Sequence, residues 1–266
     1  MENLTHRLEA VMDVFPAKTA LYCVDLNSGK PIAAIRENTQ VVSASTIKVA
    51  LLCCALQDVM DGKLTLEQFV PISAGDYCDD TAVFEPTYRQ DGASLWEMLY
   101  WMIVSSDNTA TNAVISLLGY DHVNGYCRKL GLTQTSLQRK MLDFRAVEEG
   151  RNNYTSPEDL YRMFSALYHG DILNPSLRDT ALDFLSRCHH TDGLQRYIPD
   201  PVVVAHKPGG LDHLDHDAGI IFLKDRPYYL GIFTWDGPAL DGEPQQCRLI
   251  GQLSRMVYDA VKGGTV

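Results

Sequence analysis

The sequence lacks a surplus of basic residues and a long apolar run. Its 266 residues include 23 Lys and Arg against 34 Asp and Glu, which gives a formal net charge of −11 at pH 7. Proteins that bind nucleic acid need concentrated positive charge, so this balance argues against such partners. The longest apolar stretch, Val49 to Leu56, is far shorter than the roughly 20 residues that cross a bilayer, and no membrane span is expected.

An export signal and paired cysteines are also lacking. The first residues, MENLTHRLEAVMDVF, contain neither a basic n-region nor a continuous apolar segment, so they do not predict a secretory signal. The seven cysteines are odd in number and have no CxxC spacing, which indicates buried, reduced thiols. These features predict a cytoplasmic protein, or an exported one if a leader was removed. The cysteines are Cys23, Cys53, Cys54, Cys78, Cys127, Cys188 and Cys247.

Apolar spacing predicts that strands come from both ends of the chain. A helix over residues 3–15 is followed by TALYCVDL and KPIAAI, which are typical of two strands joined by a turn. After Pro201, three more strands are expected in PVVVAHK, AGIIFL and YYLGIFTW, and then a closing helix from about Pro244 to Val261. We therefore predict an α/β fold of the α+β type, with an antiparallel sheet flanked by terminal helices and an inserted all-helical lobe.

The middle of the chain is predicted to be largely helical. A single domain over residues 1–266 is expected, with an α/β lobe from about 1–40 plus 195–266 and a helical lobe from 41–194. The predicted helices run from Ser43 to about Met60, Ser94 to Val104, Asn108 to Leu118, Asp121 to Leu130, Pro157 to Tyr168 and Ser176 to Cys188.

Ser45 and Lys48 form the first candidate catalytic pair. Their i, i+3 spacing at the start of an apolar helix places the amine beside the hydroxyl. Serine needs a neighbouring base to become a nucleophile, and burial lowers the pKa of a lysine. The alternative is a capping serine followed by a surface lysine. Lys48 is, however, the only charged residue between Glu37 and Asp58, which favours a polar role in an apolar setting.

Two further polar islands follow. Ser106-Asp107-Asn108 interrupts two apolar helical stretches, and its alternative interpretation is a simple helix N-cap.

The other island, His206-Lys207-Pro208-Gly209-Gly210, ends an apolar strand. Its glycines would let backbone N–H groups approach a ligand beside a cation, unless it is only a strand-ending turn.

Taken together, the three motifs resemble the S-x-x-K, S-D-N and K-T-G set of class A β-lactamases and penicillin-binding proteins, in the same order. Their separations are close to those of that family. Three other segments are also similar to that family: SDNTATNAVISLLG, YTSP and HDAGIIF. The resemblance therefore covers most of the chain. The resemblance implies a β-lactamase/transpeptidase-like fold and a serine hydrolase without a cofactor.

The resemblance also implies residue roles. Ser45 would attack a carbonyl to form an acyl-enzyme, Lys48 would accept or relay its proton, and Ser106 would pass that proton to the leaving nitrogen. Asn108 would hydrogen-bond the side-chain amide of the substrate, and Lys207 would bind its carboxylate. The oxyanion hole would consist of the backbone N–H groups of Ser45 and Gly210.

Two departures concern carboxylate recognition. Pro208 stands where the family has a threonine, which removes a hydroxyl that helps to hold the substrate carboxylate. Ala218 stands about where many class A enzymes have an arginine with the same task. We therefore expect carboxylate binding to be weaker or different.

A third departure concerns water activation. Class A enzymes have a Glu-x-x-Leu-Asn loop before the Thr-x-Pro segment, and the corresponding position here falls near Lys140. Asp143, Glu148 and Glu149 are the nearby carboxylates; Asp143 is our candidate for activating water, and a solvated loop is the alternative.

The expected function is β-lactam hydrolysis through an acyl-enzyme on Ser45, with a small β-lactam or an acyl-peptide or ester as substrate. A D,D-peptidase, amidase or esterase that deacylates β-lactams slowly is the alternative, and a non-catalytic β-lactam sensor is a third possibility.

Other polar and aromatic residues are expected to have ordinary roles. His213, His216 and Asp217 have the look of metal ligands, but we interpret their segment as a turn and expect no metal. Tyr88 and Trp96 would lie at the cleft wall or in the core.

Overall fold

A computed structural model describes residues 3–87, 91–239, 242, 245–264 and 266. The α-helices in those ranges are α1 (Leu4–Val14), α2 (Lys48–Met60), α3 (Leu95–Val104), α4 (Asn108–Leu118), α5 (Tyr120–Lys129), α6 (Phe144–Glu148), α7 (Pro157–His169), α8 (Pro175–Ser186) and α9 (Gln246–Lys262). The strands are β1 (Lys18–Asp25), β2 (Pro31–Ile35), β3 (Val41–Val42), β4 (Phe69–Pro71), β5 (Gly92–Ser94), β6 (Tyr154–Thr155), β7 (Val204–Leu211), β8 (Leu214–Ile221) and β9 (Tyr228–Trp235).

The main sheet has the strand order β2-β1-β9-β8-β7, and every neighbouring pair is antiparallel. Strands from the two chain ends meet where β1 pairs with β9, with Leu21 opposite Ile232. This arrangement confirms the predicted fold class. β7 forms one edge of the sheet and carries Lys207 opposite Ala218 of β8.

The two faces of the sheet bury separate apolar cores. Leu21 and Ile232 face a core that includes residues of α1 and α9, whereas Ala20 and Phe233 face the core of the helical part. This alternation follows from the period-2 geometry of a strand.

Helix α2 lies at the centre of the helical core. Its residues from Lys48 to Leu56 are 0–1 % exposed, as expected for a helix that is apolar on all sides. The predicted helix from Ser43 thus exists, but its first turn, Ala44–Ile47, is a 3₁₀ helix.

Short elements in the middle of the chain were missed. Two residues of β3 pair with two of β6, β4 pairs with β5, and α6 occupies a segment that the sequence predicted as loop. Such short elements have too few residues to show a periodic pattern. The closing helix begins at Gln246, and Pro244 lies outside the described residues. Within the described ranges, none of the helices is long and apolar enough to span a bilayer.

Candidate active site

Ser45 lies in the 3₁₀ turn that precedes α2, and it is partly exposed. Strand β7 passes so close to this turn that a Cβ on Gly209 would lie 2.7 Å from the backbone nitrogen of Ser45 and 2.9 Å from that of Thr46. Only glycine fits there without movement of the backbone. Another contact lies just before this turn in the chain, where the Nε2 atom of His216 is 2.9 Å from the carbonyl oxygen of Val42.

Lys48 is fully buried, and its ammonium group is surrounded by the Ser106-Asp107-Asn108 turn. Its Nζ donates to the backbone oxygen of Ser106 at 2.7 Å, to Ser106 Oγ at 3.0 Å and to Asn108 Oδ1 at 2.8 Å. Burial, reinforced by the charge of Lys207, holds the pKa of Lys48 well below its usual range, while Asp107 acts in the opposite direction. Lys48 can therefore act as a base closer to neutral pH than an ordinary lysine.

Ser106 adopts a left-handed conformation with φ of 59°, which is uncommon for a residue with a side chain. Asp107 holds this conformation in place. Its Oδ1 caps α4 by accepting from the N–H of Ala110, as the helix-cap interpretation expected. Its Oδ2 accepts three further backbone N–H groups, at Ala82, Val83 and Phe84. Asp107 thus fixes both the turn and the loop that covers it.

Lys207 reaches Ser106 from the opposite side. Its Nζ donates to Ser106 Oγ at 3.1 Å and to the carbonyl oxygen of Pro208 at 2.9 Å, and burial lowers its pKa. The Ser106 hydroxyl thus lies between two buried lysine amines, 3.0 Å from Lys48 and 3.1 Å from Lys207. This arrangement can carry a proton along a short path of hydrogen-bonding groups.

These groups open into a cleft of about 420 Å³. Ser45, Ser106, Asn108, Lys207, Gly209 and Gly210 all line it, so the structure brings these sequence-predicted residues together. Asn108 also donates from Nδ2 to the carbonyl oxygen of Asp80 at 2.8 Å, which ties the covering loop to the floor of the cleft.

Asp143 does not line this cleft. Its Oδ1 caps α6 by accepting from the N–H of Ala146 at 3.0 Å, and its side chain borders a neighbouring cavity. The capping role keeps its carboxylate at the start of α6. The expectation that Asp143 activates water therefore lacks the required geometry. Glu148 and Glu149 do not line the cleft either, and Glu149 pairs with Arg145 and Arg151.

Met141 lines the cleft together with Arg139 and Leu142 of the same loop, and it also borders the cavity that Asp143 lines. Asn112 holds its backbone from both sides: Oδ1 accepts from the N–H of Met141 at 2.7 Å, and Nδ2 donates to its carbonyl oxygen at 3.3 Å. Lys140 points away and pairs with Asp76 at 2.6 Å. The role of Asn112 could have been suspected from the sequence, since it follows Asn108 by four residues and shares its helix face.

Three carboxylates that were not predicted from the sequence also line the cleft, those of Asp80, Asp192 and Asp215. Burial, with the charges of Asp192 and Asp217, raises the pKa of Asp215 to about 7. Within the described residues, none of the three lining carboxylates has an ion-pair partner.

The segment interpreted as a turn is mostly strand. His213 lies at the turn, whereas His216 and Asp217 lie in β8 and are fully buried. Asp217 contacts the Nδ1 atom of His206 at 2.9 Å. Ala218 is also buried and lies opposite Lys207.

The two aromatic candidates do not add to the described site. Trp96 is 41 % exposed and stacks on Tyr100, away from the cleft, and Tyr88 lies outside the described residues.

Comparison with known proteins agrees with this geometry. The family model for the beta-lactamase enzyme family matches residues 3–261. A beta-lactamase from Bacteroides uniformis is 28 % identical, with 78 % of this chain and 75 % of that protein covered. Beta-lactamase FAR-1 from Nocardia farcinica is 30 % identical, with coverage of 79 % and 67 %.

Solved structures are similar over almost the whole chain. The structure of PBP-A has a TM-score of 0.90 at 27 % identity, covering 99 % of this chain and 97 % of that one. A single-residue variant of PBP-A, solved as an acyl-enzyme complex with penicillin G, has a TM-score of 0.89 at 27 % identity, with coverage of 98 % and 97 %. On the match over residues 3–261, together with these relatives, the chain belongs to the beta-lactamase enzyme family.

Proposed function

We propose that this protein is a serine hydrolase that opens β-lactam rings through an acyl-enzyme on Ser45. The observation that carries the proposal is the Ser106 hydroxyl, held between the buried amines of Lys48 and Lys207 in the cleft that Ser45 lines. Burying a lysine costs desolvation free energy. Two buried lysines beside one serine hydroxyl therefore indicate a functional role for the set.

In the acylation step, Ser45 Oγ attacks the lactam carbonyl carbon, and its proton passes to the neutral amine of Lys48. The negative charge on the carbonyl oxygen is stabilised by the backbone N–H groups of Ser45 and Gly210, both of which border the cleft. The C–N bond then breaks, and Ser106 donates its proton to the leaving nitrogen. Lys48 returns the proton to Ser106, which completes the transfer.

Substrate contacts are assigned to Asn108 and Lys207. Asn108 would bind the side-chain amide, and Lys207 would attract the carboxylate from the β7 side of the cleft. Pro208 supplies no hydroxyl and Ala218 no charge, so Lys207 would act with less help than the motif set normally provides.

The deacylation step supports a second candidate function. The 139–142 loop presents Met141 to the cleft, and Asp143 faces another cavity. Without the loop carboxylate that orients water in class A enzymes, hydrolysis of the acyl-enzyme would be slow. The protein would then behave as a penicillin-binding D,D-peptidase, amidase or esterase that β-lactams block, or as a β-lactam sensor.

Intact-protein mass spectrometry with benzylpenicillin, with β-lactam loss followed in the same sample, tests both functions. A mass increase equal to the whole β-lactam that is absent in Ser45→Ala supports the acyl-enzyme. If that adduct decays as antibiotic disappears, the protein is a β-lactamase; if it persists, the second candidate is correct. No adduct on the unmodified protein rejects the β-lactam proposal.

A further inference from the structure

Three side chains with metal-binding groups meet between helices α2 and α5. Cys54 and Asp58 lie one turn apart on α2, and His122 lies near the start of α5. One candidate ligand atom from each lies within 4.8 Å of the other two. None of the three lines the cleft that contains Ser45.

The chemistry of this set matches that of zinc sites. A thiolate, an imidazole nitrogen and a carboxylate oxygen are the ligand types that Zn²⁺ prefers, and three protein ligands leave a fourth position for water. The i, i+4 spacing of Cys54 and Asp58 puts both ligands on the face of α2 that meets α5. The His122 Nε2 atom lies 2.6 Å from Asp58 Oδ2, so two of the three candidate ligands are already in contact.

The ammonium group of Lys63 already pairs with one of the candidate metal ligands, Asp58. The Asp58 carboxylate is 7 % exposed, and Lys63 Nζ lies 2.9 Å from its Oδ1 atom. Lys63 is 55 % exposed and also lies 2.9 Å from Asp61 Oδ2. When a metal ion takes the Asp58 carboxylate, Lys63 can therefore keep Asp61 as its partner. The site is reachable from solvent because the His122 side chain is 44 % exposed.

A buried polar group without a partner lies on the same helix face. The Tyr126 hydroxyl, one turn after His122, has no hydrogen-bond partner among the described residues. Tyr126 follows His122 by four residues on α5, so the two side chains lie on the same face of the helix. An unpaired buried hydroxyl costs free energy, and a water on a bound ion would give it a partner.

We infer that Cys54, Asp58 and His122 form a binding site for a divalent zinc-type metal ion that joins α2 to α5. On binding, the Cys54 thiol loses its proton to solvent and forms a sulfur–metal bond, while His122 and Asp58 donate lone pairs without other bond changes. Because the metal ion must displace this proton, binding should weaken as the pH falls.

Titration of the metal-free full chain with Co²⁺ tests the inference independently of enzyme activity. We expect one Co²⁺ per chain, a thiolate-to-cobalt charge-transfer band in the near ultraviolet, and displacement of both by Zn²⁺. Cys54→Ser should lose the charge-transfer band, and His122→Gln should weaken Co²⁺ binding by about tenfold or more.

Two variants serve as matched controls. Cys53→Ser removes the adjacent buried thiol and His169→Gln an exposed histidine outside the cluster, and both should keep the band. Since His122 is partly exposed, His122→Gln should fold even if Asp58→Asn does not. The absence of the band in the unmodified protein, its survival in Cys54→Ser, or unchanged Co²⁺ affinity in His122→Gln overturns the inference.

Discussion

The two walls of the cleft differ in how much chemistry they supply. On one wall, Lys48, Ser106 and Lys207 form a continuous set of hydrogen bonds, and both lysines are fully buried. On the other wall, the 139–142 loop is held firmly by Asn112, and its Met141 lines the cleft. The first wall has the groups that the proposed acylation step uses, whereas residues 139–142 of the second have a well-supported backbone and include no carboxylate. Precise positioning and catalytic function are thus separate properties of a loop.

The largest effect is expected from Lys48→Met, which keeps an apolar stem of similar length but removes the amine. Acylation by benzylpenicillin should fall by about a thousandfold, because Ser45 loses its base and Ser106 loses a hydrogen-bond partner. Stopped-flow measurement of adduct formation checks this. Lys63→Met, which removes an exposed amine outside the cleft, should acylate at the rate of the unmodified protein. A similar loss in both variants would contradict the role of Lys48.

Met141→Glu sharpens the contrast between the two walls. A carboxylate at this position should speed deacylation by about a hundredfold, since Asn112 already holds the backbone there and a positioned general base contributes roughly that factor. The decay rate of the acyl adduct measures the effect.

Met141→Gln has nearly the same shape without the charge and should leave the decay slow. Asp143→Asn should change it less than about twofold, because Asp143 caps α6 and faces another cavity. Faster decay of the acyl adduct in Met141→Gln, or a strong effect of Asp143→Asn on that decay, would contradict this interpretation of the 139–142 loop.

The pH dependence of acylation tests the state of Lys48. Its pKa is lowered by burial and then by Lys207, so the neutral amine becomes available as pH rises through a value below that of an ordinary lysine. The acylation rate should therefore rise with pH and level off below the usual lysine pKa. Lys207→Met removes the charge that, after burial, lowers the pKa of Lys48. The rise in acylation rate should therefore shift to higher pH. A rise that stays in place would show that Lys48 is not the titrating base.

A smaller effect is expected from Pro208→Thr on β7. The added hydroxyl would offer the substrate carboxylate one more hydrogen bond beside Lys207, which corresponds to an about fivefold lower KM at ~1 kcal/mol per bond. Steady-state or acylation kinetics with benzylpenicillin give the comparison, and Pro208→Val is the matched variant without the hydroxyl. Equal KM values for Thr and Val would place carboxylate binding elsewhere in the cleft.

Several features of the site were accessible from the sequence because they depend on local spacing. The i, i+3 relation of Ser45 and Lys48, the polar interruption at Ser106 and the glycines after Lys207 are all visible without a fold. Their interpretation as one site depended on the resemblance, since about 60 or more residues separate the motifs along the chain. The alternative interpretation of Asp107 as a helix cap was also correct. The other carboxylate oxygen of Asp107 accepts hydrogen bonds from the loop that covers the turn.

Other features depend on contacts between distant segments. Counting along the chain pointed to Lys140 and nearby carboxylates, but the contacts of an irregular loop are made with distant segments that no count along the chain reveals. Lys140 pairs with Asp76, and Met141 takes the cleft position because Asn112, on another helix, selects that backbone. The raised pKa of Asp215 likewise results from burial beside Asp192, a residue on a separate loop.

The sequence by itself determined the order of the longer strands and helices, the buried central helix and the identity of the three polar motifs, since each follows from local apolar periodicity and side-chain chemistry. The tertiary structure alone decided that two buried amines share the Ser106 hydroxyl, that Gly209 must lack a side chain beside Ser45, and that Asp143 lies outside the cleft. The physical reason is that desolvation and close packing depend on which distant segments meet, and no local pattern encodes those distances.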